Sequence, residues 1–550
     1  MSPETSSAAA LTDKLLTDRT VSRIWQRDPL VWQASPGSPD ERSIRTRLGW
    51  LDVGETMAGH LAAVQALANE ARADGVNAVY LLGMGGSSLC AEVMRSVYGI
   101  APGHPDLFVL DTTDEAAVTN AASQIRSGVK PLFLVASKSG GTVEVASLER
   151  FFWNLTGGNG THFAAITDPG TALQALAESK RYRACFVNPA DIGGRFSALS
   201  LFGLVPAALI GIDPAALLKA GTTMADGCRQ ENERNAGLEL GAFIGASVLA
   251  GRNKLTVVLP PSLASLGLWI EQLIAESTGK HGKGALPVVD EPLGRPDEYG
   301  ADRAFVAIAT DRDAPDKAAL KALEAVGHPV LHLSTRVDAL GAEFFRWEFA
   351  TAIAGAALGI NPFDEPNVAE AKEKTKSLLS TFSSSGALPE PRAAATADHI
   401  SAYSPSFTGN SPSAVVREAL SSLGAGDYVA FLSYLPATSD VAAAVDEIRS
   451  GIRAKYHVAS TFGVGPRYLH STGQYHKGGP NAALAFVITG DDATKTPIPE
   501  GGYSFSVLKR AQALGDTETL AAHSRRVVRL HVSGGAGARE IERVFAEALR

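Results

Sequence analysis

Cysteine is scarce: Cys90, Cys185 and Cys228 are scattered over 550 residues. An odd, dispersed set excludes a disulfide framework and zinc-ligand spacing, and fits reduced thiols. Long apolar runs are also lacking. The best membrane-span candidate, residues 201–212, is broken by Gly203, Pro206 and Gly211. Residues 1–10 have neither the basic start nor the apolar stretch of a secretory leader. A cytoplasmic protein is expected, with residues 1–7 as a true N-terminus. There is no basic excess, and a net charge of −8 disfavours nucleic acid and membrane partners. Any anion site must therefore draw its positive potential from local Lys, Arg and helix ends.

At 550 residues with 45% hydrophobic and 20% charged content, the chain should form about three well-cored units. Residues 12–69 read as helical, with Trp25, Trp32, Trp50 and Leu51 as packing anchors. Short apolar strands at 76–82, 106–110, 131–135 and 162–166 then alternate with helices, which implies a doubly wound parallel sheet. A second such series begins near Lys219, with strands at 255–259, 304–308 and 330–333. Helices at 263–277, 343–358 and 367–379 accompany it. The Ser/Ala/Pro/Gly-rich stretch 380–410 reads as a linker or surface wrap. Beyond it, strands at 427–434, 458–463 and 483–489 with a helix at 439–455 predict a smaller α/β unit. The expected division is an N-terminal helical segment (1–60), two α/β domains (61–218 and 219–380), a linker (381–412) and a C-terminal α/β domain (413–550).

The chemistry concentrates in five places. Ser137-Lys138-Ser139-Gly140-Gly141-Thr142 lies between a buried strand and a helix. Helix N-termini, close backbone approach at glycine and hydroxyl donors together suit a phosphate. Gly83-Met84-Gly85-Gly86-Ser87-Ser88 occupies the equivalent edge. It partly matches a dinucleotide fingerprint, with Asp111 as a ribose-binding acid, but Ser88 stands where a third glycine belongs. The hydroxyl cradle favours a compact sugar phosphate, and two ordinary glycine-rich turns are the plain alternative. Gly193-Gly194-Arg195-Phe196-Ser197 offers a guanidinium for an oxyanion, or a salt-bridged surface loop. Glu276, near the end of an apolar helix with Gln272 one turn earlier, is either a desolvated base or an exposed helix-end acid. Lys372 and the histidines of the polar run 470–479, His470 and His476, are either functional or merely exposed, and no acidic set marks a metal site.

Together these motifs, in this order, resemble the glucose-6-phosphate isomerase family, most closely the isomerase portion of bifunctional transaldolase/glucose-6-phosphate isomerases. Ala275-Glu276-Ser277-Thr278-Gly279-Lys280 and Ile360-Asn361-Pro362-Phe363-Asp364 leading to Lys372 complete the match, which runs from about Trp25 onward. The resemblance implies α/β architecture with two sugar-isomerase (SIS), flavodoxin-like αβα domains. It implies metal-independent, cofactor-free interconversion of D-glucose 6-phosphate and D-fructose 6-phosphate through a cis-enediol. Ser87, Ser137, Ser139 and Thr142 would hold the phosphate, with the backbone N–H groups of Gly86 and Lys138. Glu276 would move the proton between C1 and C2, Arg195 would stabilise the enediolate, and Lys372 with a histidine would open the ring.

Two positions depart from the family pattern. Glu365 stands seven residues before Lys372, where the family has Gln. The family's Gly-Thr-x-x-Gln-His is missing from 282–302, and His281 is too close to Glu276. The similar string Ser471-Thr472-Gly473-Gln474-Tyr475-His476 comes later, so His476 is preferred over His470 for ring opening. In ordinary members that histidine crosses from a neighbouring subunit, so a homodimer is one partner expectation and association with a transaldolase another. No transaldolase activity is expected, because the resemblance leaves no room for its barrel. The alternatives are an isomerase that also accepts mannose 6-phosphate and a non-catalytic sugar-phosphate-binding regulator. Retention of both Glu276 and Arg195 argues against the regulator.

Overall fold

The structure is a computed structural model that describes residues 3–535 and 537–550; Met1 and Ser2, the start of the expected N-terminus, and Ala536 lie outside the described residues. The N-terminal helical reading breaks into Pro3–Thr17, Thr20–Trp25, Pro39–Arg45, Val53–Ala58 and Leu61–Ala73. Single turns at Pro29–Trp32 and Gly49–Asp52 separate them. The proline positions account for two of the breaks: Asp28 and Ser38 each cap a new helical start whose first residue is proline.

The first sheet contains β1 (Ala78–Gly83), β2 (Asp106–Leu110), β3 (Pro131–Ala136), β4 (Phe163–Thr167) and β5 (Ala184–Val187), in the order β2-β1-β3-β4-β5. All pairings are parallel. β1 and β3 are buried at every position, as a parallel sheet covered on both faces requires. The chain leaves β1 toward β2 and returns on the other flank to β3. That reversal opens a crevice beyond the carboxyl ends of β1 and β3, where ligands bind in such sheets. Leu82 lies opposite both Leu110 and Val135, so β1 and β3 end level, and the loops 83–88 and 137–142 leave side by side.

The second sheet holds β6 (Lys254–Val258), β7 (Leu286–Val288), β8 (Arg303–Ala309) and β9 (Val330–Ser334), all parallel, in the order β7-β6-β8-β9. Helices Leu266–Thr278, Leu340–Leu358 and Val368–Ser385 carry the motifs around it. The third sheet is mixed, in the order β10-β11-β15-β14-β12-β13. Its parallel strands are β12 (Tyr428–Ser433), β13 (Ala459–Val464), β14 (Ala483–Gly490) and β15 (Arg526–Val532). The antiparallel strands β10 (Ala395–Ala397) and β11 (Ile400–Tyr403) extend it beyond β15.

The expected linker is therefore only partly one. Its first residues continue the helix to Ser385, and its middle adds two strands to the third sheet. Ala-Thr-Ala and Ile-Ser-Ala-Tyr are too short and too small for their period of two to stand out from a Ser/Ala-rich stretch.

The C-terminal unit packs on both other sheets, on the first through its helix Phe505–Ala522. Phe505 and Leu508 share one core cluster with Tyr80, Phe133 and Phe152, and Tyr428 and Tyr475 share another with Leu286 and Val288. Buried ions join the same surfaces. Lys509 Nζ lies 2.8 Å from Asp114 Oδ1 and also bonds Asp492. Removing one member of such a buried set strands the others, so Lys509→Met is expected to lower unfolding free energy by roughly 3 kcal/mol. Urea denaturation checks this, and a midpoint equal to wild type would show the set contributes nothing.

Candidate active site

The crevice between β1 and β3 is built from backbone. Gly85 takes a left-handed φ of 56°, and a Cβ there would lie 2.7 Å from Gln272 Nε2. Gly86 is tighter, since a Cβ would lie 1.9 Å from the carbonyl oxygen of Gly194. Only glycine lets the loop after β1 press against the Gly194–Phe196 turn. Ser197 ties the two together, its hydroxyl donating to Gly194 O at 2.6 Å and to Gly86 O at 3.3 Å.

The cradle 137–142 is held internally. Ser137 Oγ and Thr142 Oγ1 are 3.1 Å apart, and Gly140 N donates to Ser137 Oγ at 3.1 Å. Thr142 precedes the Val143–Leu155 helix, yet its side chain makes no cap bond. The first-turn N–H groups, which an intrahelical partner cannot satisfy, therefore remain at the wall of a cavity of about 470 Å³. The Lys138 ammonium is committed elsewhere, to the Asp168 carboxylate and, at 3.0 Å, to Ala190 O.

Arg195 and Glu276 meet in the interior. They are 5% and 6% exposed, and Arg195 Nη1 lies 3.2 Å from Glu276 Oε1. Gln272 donates to Glu276 Oε2 at 3.1 Å and to His470 O at 2.7 Å, which joins the helix bearing Glu276 to the C-terminal unit. Burial pushes the Glu276 carboxyl above its ordinary value of 4.5 against the pull of Arg195, and Glu365 adds to the rise. The guanidinium also bonds Glu365 Oε2 at 3.2 Å, Pro362 O at 3.2 Å and Asp364 O at 3.1 Å. Burial opposes its charge, but Glu276 and Glu365 more than compensate. Of the two open readings, Glu276 is the desolvated acid, and Arg195 is no surface arginine.

The histidines divide differently from the sequence expectation. His476 is 1% exposed, its Nδ1 2.9 Å from Tyr428 Oη, inside the core between the second and third sheets. Burial, then Lys477 and Arg525, push its imidazole down to about 3, so it stays neutral. His470 instead lines the 470 Å³ cavity with Thr142, Glu144, Lys372, Tyr503 and Gln512. Its Nε2 lies 3.0 Å from Glu144 Oε1, which also accepts from Gln512 Nε2 at 2.7 Å. Gln512 Oε1 in turn accepts from Thr113 at 2.8 Å. Burial alone would raise the Glu144 carboxyl, but His470, the Glu144 backbone N–H and Lys372 together hold it below its ordinary value. The preference for His476 thus gives way to His470 as the histidine at the cavity.

The rest of the 470–479 run is structural. Gln474 Nε2 donates to Gly279 O and Asn367 Oδ1 at 2.9 Å each, and Lys477 forms a buried pair with Asp516 at 2.6 Å. Asp111, the candidate ribose acid, is held bidentately by Arg467 at 2.6 and 2.9 Å. Glu144, Gln512 and Tyr503 escaped the sequence reading. Glu144 looks like an ordinary first-turn acid, and the others lie far along the chain in a segment without a motif.

Residues 57–292 match the phosphoglucose isomerase family. The chain is 29% identical over 377 residues to the glucose-6-phosphate isomerase of Rubrobacter xylanophilus, covering 58% of this chain and 85% of that protein. It is 34% identical over 209 residues to the glucose-6-phosphate isomerase of Thermosynechococcus vestitus, covering 36% of this chain and 39% of that one. Among solved structures, a hypothetical protein from Thermus thermophilus superposes with a TM-score of 0.57 at 22% identity. That superposition covers 66% of this chain and 96% of the other, and shows a shared fold.

Gly86→Ala is expected to cut turnover at least tenfold at little cost in helix content, since relieving the overlap must move the Gly194–Phe196 turn by roughly an ångström or more, enough to misplace a reacting group. Steady-state kinetics beside circular dichroism checks this, and unaltered turnover would show that the contact does not position Arg195.

Proposed function

Because the chain belongs to the phosphoglucose isomerase family and interconverts D-glucose 6-phosphate and D-fructose 6-phosphate, we propose that Glu276 and Arg195 carry the proton transfer. The supporting observation is a buried carboxylate 3.2 Å from a buried guanidinium, one hydrogen-bonded residue away from a cavity lined by His470, Lys372 and, from the 137–142 loop, Gly141 and Thr142. Ser87, Ser137, Ser139 and Thr142, with the N–H groups of Gly86, Lys138 and the first helical turn, fix the phosphate end. His470, oriented by Glu144, and Lys372 act at the ring oxygen and the O1 hydroxyl to open the pyranose. Glu276 then takes the C2 proton of the aldose and returns it to C1. The electron pair left by that proton forms the C1–C2 double bond as the aldehyde oxygen O1 becomes an enediolate oxygen, whose charge the Arg195 guanidinium meets. The O2 hydroxyl proton passes to O1, so that C2 becomes the carbonyl as C1 takes back the proton from Glu276. Gln272 keeps the carboxylate aimed. We further propose a cytoplasmic setting.

Glu276→Gln should retain sugar-phosphate binding while C2 proton exchange with solvent falls by at least about a thousandfold, since the amide cannot accept the proton. Exchange at the wild-type rate would remove Glu276 from the role. The base works ionised, and its carboxyl is raised. The acid limb of kcat/KM should therefore lie above the ordinary glutamate value of 4.5 and disappear in this variant.

His470→Asn should depress activity on the closed sugar more than on an open-chain analogue, by about tenfold or more, whereas His476→Asn should change stability before it changes that ratio. The reverse pattern would reinstate His476.

A further inference from the structure

Two carboxylates converge on one guanidinium in this site. Glu276 and Glu365 each lie 3.2 Å from Arg195 Nη1. A second anion there works against the reaction, because it competes for the cation that must meet a developing oxyanion and hinders ionisation of the base. The chain answers this with a second guanidinium from its N-terminal segment. Arg47 follows the Pro39–Arg45 helix and precedes Leu48, which bridges to Ile192 beside the arginine turn. Arg47 Nη1 lies 3.4 and 3.3 Å from the two Glu365 oxygens and 2.9 Å from Phe363 O.

We infer that Arg47 is a positioning residue for catalysis, neutralising Glu365 so that Arg195 stays available to Glu276 and the enediolate. The inference rests on the assignment of Glu276 and Arg195 made above. Glu365 replaces a neutral side chain of the resembled family pattern, so the Arg47–Glu365 pair restores the charge that position would otherwise have. The groups facing the two carboxylates are few. Arg195 and His470 face Glu276, while Arg195, Arg47 and Lys280 face Glu365. Asp364 is occupied by Lys280, whose Nζ lies 2.6 Å from its carboxylate and 2.6 Å from its carbonyl oxygen. Burial resists the charge on Glu365, yet Arg195, Arg47 and Lys280 hold its carboxyl below the ordinary value.

The test is a double-mutant cycle of Arg47→Met and Glu365→Gln, read in the full-length enzyme as kcat/KM across pH. Arg47→Met alone should move the acid limb upward and lower kcat/KM on that limb by about tenfold, the equivalent of one pK unit, because an uncompensated Glu365 raises the Glu276 carboxyl. Glu365→Gln alone should move the limb downward. The double variant should return both rate and limb to within about threefold and a few tenths of a pH unit of wild type. If Arg47 only staples the 362–365 turn through Phe363 O, Glu365→Gln will not rescue Arg47→Met and the limb will stay put in both; that result overturns the inference. Failure of the underlying assignment is read separately, as C2 exchange surviving in Glu276→Gln.

Discussion

A guanidinium withdrawn from water sets the terms for the rest of this molecule. Arg195 cannot shed its charge, so its burial is tolerable only if several acceptors surround it. Those acceptors come from separate parts of the chain: Glu276 from a helix of the second sheet, and Glu365, Pro362 O and Asp364 O from the turn before the Val368–Ser385 helix. The arginine itself leaves the carboxyl side of the first sheet, after β5. One ion thus obliges two sheets and a turn to arrive together. The glycine at 86 and the carbonyl of Gly194 are the steric counterpart of that electrostatic demand.

Much of this was legible from residue types at strand ends. Glycines with hydroxyls after β1 and β3 mark a crevice because a parallel sheet has few other uses for them there. The Glu276 helix was legible too, although whether the acid was exposed depended on the second sheet, which no local pattern contains. The histidine was not legible. Within one polar run, His470 belongs to the single turn Arg467–His470 and His476 to the short helix Gly473–Gly478. A difference of six residues sends one ring to the cavity and the other against Tyr428. Sequence similarity to a motif favoured the ring that packs against Tyr428, because the string Gln-x-His carries no information about direction. In this chain its glutamine is spent on Gly279 and Asn367.

The strands the sequence reading passed over are β15, seven residues long, and β5, β7, β10 and β11, which are only three or four residues long. At that length neither alternation nor an unbroken apolar run can form, and their pairing partners decide them. The C-terminal unit is bound in by the same logic. Its aromatic residues complete clusters begun by the first and second sheets, so it contributes core as well as surface.

His470 reaches the cavity wall from the same chain that supplies Thr142, Lys372 and Glu144. A group tethered in this way stands at an effective concentration fixed by the fold, whereas one borrowed from a neighbour is diluted along with that neighbour. Thr142, Glu144, Lys372 and His470 therefore keep their mutual placement in a sparse solution as in a crowded one. Any change that shifts the C-terminal unit relative to the cradle acts on the site as directly as a change beside it.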